Sequence, residues 1–232
     1  MSGVTAREQP GEIGTGVLAR ASATAYWYLV VEALLVLTAA PGLLALPLLA
    51  RDASNVPLVA LALVPLGPAL SAGLFALRAY RRDPDLRPAG HFWRGYRLNW
   101  LDVLRFWVPF LVVMAVLATN LTHLGSVPGG PVLAPLLGLL TLGLALWCAH
   151  MLVLVSLFSF RTRDAARLAA FFLARRPGVT LGAASLGVLA TGTVLFASDW
   201  VLALLASVML GLLLRNAGPM VADVEERFVA QA

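Results

Sequence analysis

The chain has 232 residues, 60% of them hydrophobic and only 12% charged, with a formal net charge of +5. A soluble domain of this length carries about 25% charged residues. This chain cannot cover a globular surface with polar groups, so an integral membrane protein is expected. Its single cysteine, Cys148, excludes an internal disulfide and a cysteine-based metal cluster, and it sits in an apolar run that suits a small buried side chain.

Residues 1–20 read as a cytoplasmic tail and residues 21–232 as one membrane domain. The tail ends in "GTGVLA", a match to the glycine pattern of dinucleotide sites. That pattern needs a strand before it and a soluble helix after it. Here "VTAREQPGEI" precedes and a membrane span follows, so a nucleotide cofactor is not expected.

Crossing the hydrocarbon core takes about 20 apolar residues. Six runs meet or approach this, at residues 25–49, 56–77, 101–121, 132–158, 179–197 and 200–214. The first is longer than the roughly 7–15 apolar residues of a signal peptide, so an uncleaved anchor is expected, with Tyr26, Trp27 and Tyr28 at its interface. Pro41 and Pro47 are placed to kink or end it. Pro65, Gly67 and Pro68 do the same for the second run. The last two runs are separated only by "SDW", a tight helical hairpin with Asp199 at its tip.

All seventeen basic residues are arginine, which we read as codon bias rather than mechanism. Arg78, Arg81, Arg82, Arg87, Arg94 and Arg97 separate the second and third runs. Arg161, Arg163, Arg167, Arg175 and Arg176 separate the fourth and fifth. Arg7 and Arg20 lie in the tail, and Arg215 and Arg227 follow the last run. The alternate loops hold only Arg51. Because cytoplasmic loops concentrate Lys and Arg, both termini are expected inside a bacterial cytoplasmic membrane.

"HFWRGYRLNWLDVLRFW", residues 91–107, carries three arginines and six aromatics. On a helix, Trp93, Tyr96, Trp100, Val103, Leu104 and Trp107 fall on one face, and Arg94, Arg97 and Arg105 on the other. Nucleic-acid binding wants aromatics and arginines on the same exposed face, so no nucleic acid is expected. The pattern predicts an interfacial amphipathic helix that buries its aromatics and turns its arginines to lipid phosphates. "FFLARR", with Phe171, Phe172, Arg175 and Arg176, echoes "FWRGYR" before the fifth run. It predicts a second basic elbow.

Glu32 lies inside the first run, about 9 Å beyond Tyr26. An intramembrane carboxylate faces protein or water. Either it is a proton or cation site, or it is a structural acid, paired with Arg78 or Arg105 or protonated and hydrogen-bonded. His150, about 15 Å from Phe160, is a proton relay or a hydrogen-bonded core histidine. His91 and His123 sit near opposite faces, so no metal centre is expected. Small residues at Gly178, Gly182, Ala183, Gly187 and Gly192 in the fifth run, with Gly138 and Gly143 in the fourth, predict close packing of those two spans.

These features together resemble the YesL-like family of bacterial membrane proteins, a domain of unknown function. The resemblance runs from about Ala19 to Phe228. It rests on a first span with a polar residue and a Pro-Gly or Leu-Pro ending, the basic segment, "FWRGYRLNW", "AARLAAFFLARRPG" and the closing Asn216. It implies an accessory role beside carbohydrate uptake systems and carries no catalytic residue set. This chain departs from it in its long N-terminal tail and in Glu32, where relatives have an uncharged polar residue. The expected protein is therefore all-α, with six transmembrane helices and two basic elbow helices. Its expected function is that of a non-enzymatic accessory to carbohydrate transport, with a small transporter or channel using Glu32 as the alternative. Membrane lipids and transporter subunits are the expected partners, and self-association stays open.

Overall fold

The structure is a computed structural model that describes residues 16–229, apart from 51, 84 and 127. Most of the N-terminal tail, including Arg7 and Gly14, and Arg51 in the loop after the first run lie outside the described residues. Among the described residues the chain is all helical. In order these are α1 (Val17–Ala45), α2 (Val56–Ala62), α3 (Leu66–Arg82), α4 (Pro88–His123), α5 (Gly130–Leu157), α6 (Thr162–Arg175), α7 (Pro177–Phe196), α8 (Asp199–Leu204), α9 (Ala206–Asn216) and α10 (Gly218–Val224). A five-residue π turn, Glu225–Val229, follows.

Four helices in the described residues are long and apolar enough to cross a membrane, and five if α2 and α3 count as one span. That pair bends by 42° at the prolines expected to bend it, with Pro65 capping α3. Trp107 Nε1 donates to the Leu63 carbonyl at 3.0 Å, which also accepts the Leu66 N–H at 3.2 Å, so α4 is tied to the bend. The bend also leaves an apolar groove of about 460 Å³ between α2 and α4, bordered by Leu61, Val64, Val108, Leu111, Val112 and Thr119. The sixth run differs from expectation: it divides at Leu205 into α8 and α9.

The two elbows are built differently. The first is no separate helix. It is the opening of α4, which runs unbroken for 36 residues. At 1.5 Å per residue that is about 54 Å, well beyond the hydrocarbon thickness of about 30 Å. The second is a separate helix, α6, which stops at Arg176 with φ −122° and ψ 69°. The cause is Pro177, whose ring pushes the preceding residue out of helical geometry and then serves as the first residue of α7. No proline follows the first elbow until Pro109. At the head of α5, Gly129 takes φ +82°, the left-handed region that glycine enters without strain.

α3 is the centre of the bundle and packs against α1, α4, α5 and α9. Its buried face is mostly small: Gly67, Ala69, Ser71, Ala72, Gly73 and Ala76. Small faces let helices approach closely. A Cβ on Gly67 would meet the Trp107 ring, and one on Gly73 would meet Leu210 and Leu35. Asn99 on α4 donates to the Ser156 carbonyl of α5 at 3.0 Å, and Ser156 Oγ lies 2.8 Å from Ser71 Oγ of α3. The core is concentrated at the arginine-rich end of the bundle. On α5 a continuous buried run spans only residues 150–156, preceded by Cys148, while Leu133, Leu136, Leu139, Leu140 and Leu142 are exposed.

The expected close packing of the fourth and fifth spans is not found. A Cβ on Gly138, Gly143, Gly178, Gly187 or Gly192 would meet nothing within 4 Å. Only Gly182 is used, by Asn216 of α9, whose side-chain amide donates to the Val179 carbonyl at 2.7 Å. α5 and α7 meet near His150 and Thr180, but α7 packs more extensively on α9.

Candidate functional site

Glu32 is 8% exposed, on the buried face of α1. Its Oε2 accepts the backbone N–H of Ser207 at 2.7 Å, across 175 residues of chain. Ser207 is the second residue of α9, just past the division at Leu205. The carboxylate thus occupies the N-terminal end of a helix that starts inside the bundle, where unpaired N–H groups and the helix dipole favour negative charge. Its other oxygen, Oε1, is buried and has no hydrogen-bond partner among the described residues.

The expected arginine partners are elsewhere. Arg78 pairs with Glu225 and stands 4.9 Å from the Phe158 ring centroid. Arg105 pairs with Asp102 one turn back on the exposed side of α4, at 2.5 Å. The reason is placement. Arg78 lies in the last turn and a half of α3, close to the C-terminal π turn, while Arg105 projects from the far side of α4. Arg81, one turn beyond Leu77, reaches α9 instead: its Nη2 donates to the Gly211 carbonyl at 2.7 Å.

His150 is buried in α5. Its Nδ1 lies 2.8 Å from the Leu146 carbonyl, and its Nε2 lies 3.5 Å from Thr180 Oγ1 of α7. Thr180 Oγ1 in turn donates to the Leu173 carbonyl at 3.0 Å. His150 and Glu32 are not bonded to one another. Among the described residues no group of three His, Cys, Asp or Glu is placed to hold a metal ion.

The elbow aromatics divide otherwise than expected. Within residues 91–107 the buried positions are Phe92, Gly95, Val103, Phe106 and Trp107, while Trp93 and Trp100 are 41% and 43% exposed. The core needs a narrow face at Gly95, where a Cβ would strike the Phe75 ring, and that turns Trp93 and Trp100 outward. Tyr96 is half-buried, and Arg94 and Arg97 are exposed. On α6, Phe172 is buried and Phe171 exposed. Arg175 is exposed, and Arg176 makes a two-pronged ion pair with Asp223 of α10, at 2.8 and 2.6 Å. Exposed tryptophans beside arginines suit the headgroup level of a bilayer.

The partners Ser207, Asp223 and Glu225 were not foreseen. The acidic pair in "ADVEERF" was the available signal for the latter two, since the C-terminal end is one of few places where carboxylates can meet the inner arginines. The guanidinium of Arg176, through its hydrogen bonds, holds the Asp223 carboxyl below its ordinary value, against a smaller upward push from burial. The contribution of this pair is therefore complete above about pH 3.9, the ordinary value of a free aspartate. It is lost as pH falls through the lower native value. Amide protection across α10, corrected for the intrinsic pH dependence of exchange, is expected to fall on that descent, and Asp223→Asn is expected to show the faster exchange already at neutral pH. Equal exchange in the two proteins at neutral pH would refute the tie.

A helical bundle with four or five apolar helices long enough to span and a buried carboxylate on an internal helix end has the make-up of a polytopic membrane protein. Residues 21–121 match the family model described as "Protein of unknown function, DUF624". The match covers α1 to nearly the end of α4. It takes in Glu32, Arg78, Arg105 and the first elbow, and it supports a family whose function is unknown. No curated protein and no solved structure matches the chain.

Proposed function

We propose that the chain is a multi-pass protein of the bacterial cytoplasmic membrane with six crossings and both ends inside. The sixth crossing is the divided pair α8 and α9. In this reading it acts as a non-enzymatic accessory to a transport system, with carbohydrate uptake the class implied by its resemblance to the YesL-like family. The observation that carries the accessory reading is the uncovered small-residue surface of α5 and α7, at Gly138, Gly143, Gly187 and Gly192. Lipid chains have no need of such a surface, but a neighbouring transmembrane helix does, because small residues let two backbones come close. Co-purification from native membranes in mild detergent, read by mass spectrometry, is expected to enrich permease or binding subunits of one transporter. Enrichment is expected to fall when Gly138 and Gly187 are both replaced by leucine. A partner-free monomer or homodimer would overturn this reading.

A second reading, a small transporter or channel, is favoured by Glu32 at the end of a helix that begins within the membrane domain. Divided helices of this kind frame substrate and ion sites in transporters. Solute flux into proteoliposomes that survives both Glu32→Gln and His150→Ala would eliminate it.

A further inference from the structure

The division of the last apolar stretch has no local cause in its sequence. "VLALLASVML" contains neither proline nor glycine at the break, yet Leu205 leaves helical geometry with φ −107° and ψ 6°. Helix breaks of this kind arise where a side chain enters the backbone ladder. In an unbroken helix the Ser207 N–H would bond to the Ala203 carbonyl, four residues back. Here it bonds to Glu32 at 2.7 Å. The acceptor is a buried carboxylate from α1, with one oxygen on the helix end and the other without a hydrogen-bond partner among the described residues.

We propose that Glu32 and the start of α9 form a proton-binding site, and that its occupancy decides whether residues 199–216 are one helix or two. Glu32 Oε1 takes one proton from hydronium, whose O–H bond breaks to leave a water molecule, and the carboxylate becomes a neutral acid. No other covalent bond is made or broken. A charged acceptor makes a hydrogen bond roughly twice as strong as a neutral one, and only the charged form is drawn to the helix dipole. Protonation therefore weakens the hold on Ser207, whose N–H returns to Ala203. The rejoined helix of 18 residues is about 27 Å long, close to the hydrocarbon thickness of about 30 Å. A proton is favoured over a metal cation by the packing. Leu35 and Leu210 close around Gly73 beside the site, and among the described residues no group of three His, Cys, Asp or Glu that could hold a metal ion includes Glu32.

The groups that face the site point to a route for the proton. Tyr28 lies one turn below Glu32 on α1, with its hydroxyl so near Gly211 that a Cβ there would fall 2.4 Å from it. Arg81 of α3 meets the same Gly211 at its carbonyl. These lie on the side of the arginine-rich end. α2 and α7 carry no titratable side chain. On α4, Asp102 and Arg105 neutralise each other, and Arg78 and Arg82 of α3 are held by Glu225. Asp199 and Arg215 stand at the outer ends of α8 and α9. The site does not depend on whether the protein carries a solute, so it survives failure of either functional reading.

The test is NMR of the full chain in lipid nanodiscs from about pH 4 to about pH 9, following the Ser207 amide and the Glu32 carboxyl carbon. Both are expected to move through one shared titration, and the amide movement is expected to be lost in Glu32→Gln. Ser207→Pro removes the donor at a first-turn position that tolerates proline. It is expected to displace the Glu32 titration from its wild-type position. A Ser207 amide that does not respond to pH, or that titrates unchanged in Glu32→Gln, would overturn the proposal. So would an amide that responds to added sodium chloride but not to pH, and a Glu32 titration unmoved by Ser207→Pro.

Discussion

Gly42→Ala is expected to cost about 3 kcal/mol, at the upper end of what overpacking takes from a tight interface. A Cβ at Gly42 of α1 would stand 1.8 Å from the Ala62 carbonyl oxygen and 2.9 Å from its carbon. Both are backbone atoms at the end of α2, so no side chain can rotate away. α1 and α2 must separate, and that pulls on the bend that Trp107 holds through Leu63. Gly187→Ala is the matched control, because a Cβ there meets nothing within 4 Å and alanine favours helix. Unfolding by titrating a denaturing detergent into mild micelles should place Gly187→Ala at or slightly above wild type and Gly42→Ala well below it. Equal midpoints would show that the α1–α2 contact does not stabilise the bundle.

Glu225→Ala is expected to be the most damaging single change at the C-terminal end, costing about 2–3 kcal/mol. Breaking a fully buried pair takes about 3–5 kcal/mol because it strands the remaining charge. The value here is lower because Glu225 is 38% exposed, whereas Arg78 is 13% exposed. Arg78 Nη1 already lacks a hydrogen-bond partner among the described residues, so loss of Glu225 leaves a buried guanidinium with little but the Phe158 ring to face. Replacing both residues by leucine is expected to recover most of the loss, since an apolar pair of similar size removes the stranded charge. A double-mutant cycle read by the same detergent unfolding measures this. A double variant as unstable as Glu225→Ala would mean that the helix, rather than the charge, is what is lost.

The all-helical class, the four or five apolar helices long enough to span and the bend near Pro65 were legible because they rest on local signals: apolar length and proline chemistry. What failed in the reading depends on contacts distant in sequence. On α4 Val103 and Trp107 are buried with the expected face, whereas Trp93 and Trp100 are exposed, because the core there takes Phe92 and the side-chain-free Gly95. The glycines of α5 and α7 were read as facing each other because composition records size and not direction. Glu32 was correctly singled out as a buried carboxylate. Its partner was misread because a backbone N–H exposed by a helix break leaves no mark in a sequence that contains neither glycine nor proline at that point.

The bond between Glu32 and Ser207 also orders events during synthesis. Glu32 is made and enters the membrane domain 175 residues before its partner exists. Until α9 emerges, the first helix holds a carboxylate with no donor, and a buried group in that condition is costly. The remaining closures come later still: Asp223 on Arg176, then Glu225 on Arg78 and Arg82. A chain that stops before residue 203 lacks α9 and α10 and leaves every one of these ties unmade: Glu32 without its donor, Arg176 without Asp223, and Arg78 and Arg82 without Glu225.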